Sequence, residues 1–364
     1  MNPVDYSLKP EERVLFALRA LYQKYGYSQF KMGKFEEYDL YVRNKDFLVS
    51  DGVITFTDTD GRLMALKPDV TLSIIKNTRE AFGCVQKLYY SENVYRVSGS
   101  TRCFKEIMQT GLECIGDVDL YNLCEVIFLA AQSLQIIDER YVLDLSHMGV
   151  VAALVDALEL TDQARAEILK CIGEKNADGV RKLCPGRDID GLLTLIAAHG
   201  PSDRVIPALR PYCAQGAAKA ALDELEAVAG VLAADGCAGV RVDFSIVNDM
   251  NYYNGIVFMG YIPGIPASVL SGGQYDKLMR RMGRSARAVG FAIYMDLLER
   301  LEDAARPYDV DTVLLYGEDA DAVALSQAVR LLTESGRSVL AQKAVPEKLR
   351  YRQLLRFEDG GIKP

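Results

Sequence analysis

Residues 86 to 116, QKLYYSENVYRVSGSTRCFKEIMQTGLECIG, decide the fold. Lys87 to Arg96 and Phe104 to Ile115 alternate apolar with polar residues and are rich in Tyr, Val, Phe and Ile, the period-two pattern of half-buried strands. The VSGSTRC stretch between them carries the Gly, Ser and Thr of a hairpin loop. On the return strand Gln109, Gly111 and Glu113 stand at i, i+2 and i+4 and therefore share one face of the sheet. A glutamate on an apolar strand must find water or partners, because burying an unpaired charge costs several kcal/mol. The face is a solvated edge or a polar site.

Upstream, residues 10–25 place Val14, Leu15, Leu18, Leu21, Tyr22 and Tyr25 on one helical stripe, opened by Pro10 and closed by Gly26. Tyr27 to Phe35 reads as a strand, and Val53–Phe56 with Arg62–Leu66 as a hairpin around TDTDG. ALKPDVTLSIIKN then starts a helix whose first turn holds Asp69 and Thr71, where a carboxylate is commonly a cap. Downstream, DVDLYNLCEVIFLAAQSLQ predicts a buried helix, and Tyr141 to Ser146 a strand. Residues 150–235 turn Ala- and Leu-rich, the pattern of a helical insertion of four or five helices. VRVDFSIV, NYYNGIVFMGYI and ASVLSGGQYDKL return to strands. Tyr252 and Tyr253 open the second of these, so strand alternation turns them to opposite faces. AVGFAIYMDLLERLEDA predicts a helix. Residues 306–364 predict a small or truncated α/β segment: strand Val310–Tyr316, helix Ala320–Glu334 and strand Ser338–Leu340. The order is α+β, with a core over 1–305 built on a mostly antiparallel sheet flanked by helices.

The composition sets limits. The 364 residues are 49% apolar and 25% charged, as in an ordinary folded chain of two domains. Charge interrupts each apolar stretch, so no transmembrane helix is expected, and the N-terminus has no secretory h-region. Eight cysteines without a CxxC pair and only two histidines give no metal site and indicate core thiols in a reducing, cytoplasmic compartment. A net charge of −8 makes tRNA an unlikely partner, since phosphate contacts supply most nonspecific affinity. The phosphate loops, nucleophile elbows and zinc motifs that announce common chemistries are absent from the sequence.

Taken together, FTDTDGRLMALKPDVT, VYRVSGSTRCFKEIMQTGLECIG, NYYNGIVF, SGGQYDKL and AVGFAIYMDLLERL resemble, in order, the amino-acid-binding segment, motif 2, tyrosine strand, glycine-rich strand and motif 3 of histidyl-tRNA synthetases. These are class II aminoacyl-tRNA synthetases. The resemblance implies a class II-like sheet and a histidine pocket at Asp69, Thr71, Gln109, Glu113, Tyr252 and Tyr253, with Arg96 as a candidate anion contact. It also exposes departures. Asn248-Asp249 stands where the family has Arg-Gly, Leu297 where motif 3 has an ATP-binding Arg, and Tyr294 where a Gly makes room for nucleotide. Arg96-Val97-Ser98 replaces Arg-x-Glu, and Gly33 the motif 1 Pro. Adenylate formation depends on preorganised cations around phosphate, so the chain is expected to do no synthetase chemistry, to need no cofactor and to have no catalytic residue. A kept histidine pocket with a lost nucleotide site resembles the regulatory subunits of ATP phosphoribosyltransferase, the first enzyme of histidine biosynthesis. That resemblance implies activation of a short-form catalytic subunit, feedback by L-histidine, and a homodimer within a hetero-oligomer. An active histidyl-tRNA synthetase and a synthetase-like paralogue with another partner stay open as alternatives.

Overall fold

Pro10 in its first turn and Gly26 beyond its end, at φ +80°, bracket the first helix, α1 (Pro10–Lys24). Of its stripe Leu18 and Tyr22 are fully buried, whereas Tyr25 is exposed. The computed structural model describes residues 8–44, 52–78, 83–97, 102–247, 252–298 and 308–364. They fall into two compact units, 1–300 and 301–364. The segment predicted as one strand from Tyr27 to Phe35 divides instead. β1 (Ser28–Gln29) pairs in parallel with the main sheet, while β2 (Phe35–Glu37) joins β3 (Thr55–Thr57) and β4 (Leu63–Leu66) in a separate small sheet. Gly33 lies at the break, where a missing side chain weakens strand pairing. Gly61, at φ +82°, turns the predicted hairpin between β3 and β4. Between these strands lies α2 (Tyr38–Arg43), and after them α3 (Thr71–Asn77).

β5 (Val85–Val97) and β6 (Phe104–Gly116) pair antiparallel over 13 residues each. α4 (Leu120–Ile137) follows, capped by Asp119, and leads to β7 (Val142–His147). By length and composition α4 is apolar enough to cross a membrane, a property the charge pattern alone did not predict; here 61% of it is buried within the chain. Its Ser133 hydroxyl lies 3.0 Å from that of Tyr22 on α1.

The insertion contains six helices among the described residues, more than predicted: α5 (Met148–Asp156), α6 (Asp162–Gly173), α7 (Ala177–Leu183), α8 (Asp190–Ala197), α9 (Ser202–Leu209) and α10 (Gly216–Ala234). β8 (His199–Gly200) sits between α8 and α9. Side chains cap several of them, as His147 does for α5, Thr161 for α6 and Asn176 for α7. The chain returns through β9 (Val240–Asp243), β10 (Ile256–Tyr261), β11 (Leu270–Gln274), α11 (Asp276–Arg281), β12 (Arg287–Tyr294) and α12 (Met295–Leu298).

The nine-stranded sheet has the order β1-β5-β6-β12-β11-β10-β7-β9-β8. Its pairs are antiparallel except β1 with β5 and β7 with β9. β6 is therefore an interior strand, and the face carrying Gln109, Gly111 and Glu113 is not a solvated edge. Of the helix predicted from Ala288, the described residues are strand as far as Tyr294 and helical only over Met295–Leu298. β12 is covered on both faces, so its residues AVGFAI form the continuous apolar run that a strand buried on both sides shares with a buried helix. Tyr252 and Tyr253 also precede their strand, which begins at Ile256, so strand alternation does not govern them.

In the unit 301–364, β13 (Val310–Tyr316), α13 (Ala322–Glu334) and β14 (Val339–Gln342) follow the prediction. β15 (Tyr351–Glu358) and β16 (Gly361–Lys363) add to it, giving the order β14-β13-β15-β16 around Leu314, Ala328, Leu332 and Phe357. Asp359 and Gly360, both at positive φ, turn the last hairpin.

Candidate functional site

Strand register builds the site. Across four neighbouring strands Tyr90 pairs with Gly111, Gly111 with Ala292, and Ala292 with Ser271. One row along, Glu113 pairs with Gly290 and Gly290 with Gly273. Small residues in these rows form a floor against which large polar ones lie. A Cβ at Gly290 would come within 1.8 Å of Glu113 Oε2, and one at Gly111 within 2.1 Å of the Phe291 carbonyl and 2.7 Å of the Tyr90 hydroxyl. The start of α3 and the turn holding Tyr252 and Tyr253 supply the walls. They enclose a cavity of about 210 Å³, below the ~300–1,000 Å³ of clefts for drug-sized molecules, so its occupant is compact.

Glu113, only 2% exposed, is the polar centre. Its Oε1 accepts from the Thr71 hydroxyl at 2.8 Å and its Oε2 from the Tyr275 hydroxyl at 2.5 Å. Burial pushes this carboxyl up to about 8; the two hydroxyl bonds pull it down, and the Asp69 charge pushes it further up. Asp69 stands two residues before α3 rather than, as predicted, in its first turn, yet its Oδ1 accepts the Leu72 amide at 2.9 Å and so still caps the helix. Burial raises the Asp69 carboxyl too, against the pull of that amide and of the Arg96 charge. Arg96 Nε donates to the Pro68 carbonyl at 2.9 Å, and Arg96 is the only basic residue lining the cavity among the described residues.

Gln109 and Tyr90 are 3% and 2% exposed, and neither side chain has a hydrogen-bond partner among the described residues. Buried polar groups are nearly always satisfied. These two line the cavity, so a polar ligand or solvent there completes them. The Thr71 hydroxyl lies near the Tyr252 phenol and that of Ser271 near the Tyr253 phenol. The two tyrosine rings meet edge to face with centroids 4.7 Å apart, and burial raises both phenols. Two carboxyls, an unpartnered amide, phenols and a single guanidinium suit a small molecule that donates several hydrogen bonds, carries positive charge and has one acidic end.

All of Asp69, Thr71, Arg96, Gln109, Glu113, Tyr252 and Tyr253 line this one cavity. Both tyrosines reach it because they sit in a turn rather than a strand. Tyr294 also lines it, across from Gln109 in the register of β12 and β6, whereas Leu297 lies on α12 away from it. Asn248, Asp249 and Ser98 lie outside the described residues. Sequence reading missed Tyr90 and Tyr275. Gly111 signalled the first, since a glycine in an interior strand marks a close approach; Tyr275, inside the glycine-rich segment, had no local signal.

An antiparallel sheet carrying an amino-acid-sized cavity between motif-bearing strands is the class II aminoacyl-tRNA synthetase-like fold. The family model for histidyl-tRNA synthetase matches residues 6–298, well over half of the chain, and the chain belongs to that family. An ATP phosphoribosyltransferase regulatory subunit from Oceanobacillus iheyensis is 27% identical, over 93% of this chain and 86% of its own length. Two solved structures share the fold. An ATP phosphoribosyltransferase regulatory subunit/histidyl-tRNA synthetase from Bacillus halodurans has a TM-score of 0.75 at 24% identity, covering 95% of this chain and 93% of that one. A chain of the ATP phosphoribosyl transferase (HisG:HisZ) complex from Thermotoga maritima has a TM-score of 0.63 at 20% identity, covering 78% and 97%.

Proposed function

We propose that this chain is a regulatory subunit of ATP phosphoribosyltransferase. It binds L-histidine in the cavity, joins a short-form catalytic subunit as a homodimer within a hetero-oligomer in the cytoplasm, and does no aminoacylation itself. The observation that carries this is the convergence of Asp69, Thr71, Gln109, Glu113, Tyr252 and Tyr253 on one buried cavity into which Tyr294 also projects. The names of the relatives support the same reading. Glu113 faces an imidazole N–H, Asp69, Thr71 and Gln109 accept from the ammonium group, and Arg96 meets the carboxylate. Tyr294 takes room that a nucleotide would need, and Leu297 and Asn248-Asp249 leave phosphate without the family's cations.

The test is to mix the purified chain with a short-form ATP phosphoribosyltransferase and titrate histidine. A larger species should form, phosphoribosyl transfer should rise, and histidine should suppress it. A charge-assisted hydrogen bond contributes about 1.5–3 kcal/mol. Glu113→Gln should therefore raise the histidine needed, by calorimetry and by inhibition alike, roughly ten- to a hundredfold. No complex and no activation, together with histidine-dependent pyrophosphate exchange at an ordinary synthetase's rate, would overturn the reading.

A further inference from the structure

Glu113 owes its orientation to its neighbours rather than to an ion pair. Its carboxyl lies against the Gly290 backbone, where even a methyl group would collide with Oε2. Thr71 holds one oxygen from the start of α3 and Tyr275 the other from the end of β11. The titratable and charged groups lining the cavity with it are Asp69 from the approach to α3, Tyr90 and Arg96 from β5, Tyr252 and Tyr253 before β10, Tyr275 itself and Tyr294 from β12. The one cation among them, Arg96, donates to the Pro68 carbonyl and is not paired with Glu113. The ionised carboxyl is favoured only by the two hydroxyl donors.

Tyr275 is the better placed of the two. Its amide donates to the Ala288 carbonyl at 3.0 Å, and the following Asp276 accepts the Ala288 amide at 3.0 Å and the Asn254 side-chain amide at 3.3 Å. Its ring is buried against that of Tyr252, with centroids 5.9 Å apart. A side chain fixed at both ends presents its hydroxyl at one point in space. The 2.5 Å separation falls in the range of O–H···O⁻ bonds, which favour the ionised acceptor.

We propose that Tyr275 is the positioning residue of this cavity: its hydroxyl holds Glu113 as a hydrogen-bond acceptor turned toward the ligand, and so fixes the pH range in which an imidazole-bearing ligand is retained. This rests on the reading of the cavity as a histidine site. Histidine is held when Glu113 is ionised, and affinity rises with pH as the carboxyl loses its proton. Taking away the Tyr275 hydroxyl removes a bond to the ionised form, so the carboxyl keeps its proton to higher pH and the affinity curve follows.

The experiment is a pH series of histidine calorimetry on the full chain and on Tyr275→Phe, which keeps the ring. It is paired with NMR titration of the ligand-free proteins labelled at glutamate carboxyls. The Phe variant should bind about tenfold more weakly at neutral pH, with the gap narrowing as pH rises, and the Glu113 carboxyl should titrate at higher pH. Thr71→Val removes the other donor and should move the carboxyl in the same direction, which keeps the test open if Tyr275→Phe folds poorly. An equal loss at every pH with an unmoved carboxyl would mean that Tyr275 only packs, and would overturn the inference. If the parent chain binds no histidine at any pH, the ligand reading falls, and the carboxyl titration alone decides whether Tyr275 positions Glu113.

Discussion

Glu113 and Asn176 are both polar side chains that accept hydrogen bonds, one on the floor of the cavity and one at the head of α7 in the helical insertion. Asn176 is exposed, and its Oδ1 takes the Gly179 amide at 2.8 Å, an ordinary cap with water on its other side. Glu113 is buried, its carboxyl is raised by that burial, and the nearby Gln109 and Tyr90 have no partner among the described residues. Around the cavity the fold tolerates polar groups in places that weaken it. In the insertion polar groups close helix ends and pair at the surface, as Arg181 does with Asp178. On the proposed reading of the cavity, the difference separates residues kept for a ligand from residues kept for the fold, since functional sites are where local rules are broken.

The sharpest way to break this contrast is Gly290→Ala. The added methyl would meet Glu113 Oε2 at 1.8 Å and the Leu112 carbonyl at 2.5 Å, and the second of these cannot swing aside. We expect overpacking to cost about 1–3 kcal/mol in chemical denaturation, and histidine binding to vanish from calorimetry because the carboxyl is displaced. A variant with parent-like affinity would show that the Glu113 position is not what the floor is shaped for.

Much of this site is legible in the sequence because strand period is so strict. Gln109, Gly111 and Glu113 had to share a face once the hairpin was read, and the short TDTDG loop fixed its hairpin equally well. β12 was not legible, since burial of both its faces erases the alternation that marks a strand. Tyr252 and Tyr253 carry strand propensity, yet Asn254 and Gly255 delay the strand to Ile256. The Tyr275 hydroxyl meets Glu113 across 162 residues of sequence, and no local pattern encodes such a contact. The interior position of β6 was likewise set by distant pairing with β12.

A second, smaller effect follows from the protonation of Glu113. The folded chain holds this proton up to about pH 8, whereas the unfolded chain releases it near the ordinary carboxyl value of 4.5. The native state therefore binds more protons between these limits, and stability falls as pH rises through that window and then levels off. Glu113→Gln removes the titrating group. Its thermal midpoint relative to the parent should be higher by roughly 3–6 °C at pH 8.5 than at pH 5, from a difference of a few kcal/mol. The same substitution is expected to weaken histidine binding, so stability and the proposed function should move in opposite directions. A midpoint difference independent of pH would mean that the buried carboxyl is ionised throughout.

The smallest expected effect tests the other side of the comparison. Asn176→Ala deletes the cap of α7 and leaves the Gly179 amide to water, which costs about 1 kcal/mol for such caps. The chain there is already set for the turn: the Asn176 amide donates to the Cys171 carbonyl at 2.8 Å, and Val180 of the helix stays fully buried. The loss should therefore stay local, and in a unit of this size it lowers the thermal midpoint by only ~2–4 °C. Asn176 lies on no wall of the cavity, and histidine affinity should equal that of the parent at every pH. A cap variant that changed histidine affinity severalfold would join the insertion energetically to the cavity, and the division between ligand-serving and fold-serving polar groups would then fail at its simplest point.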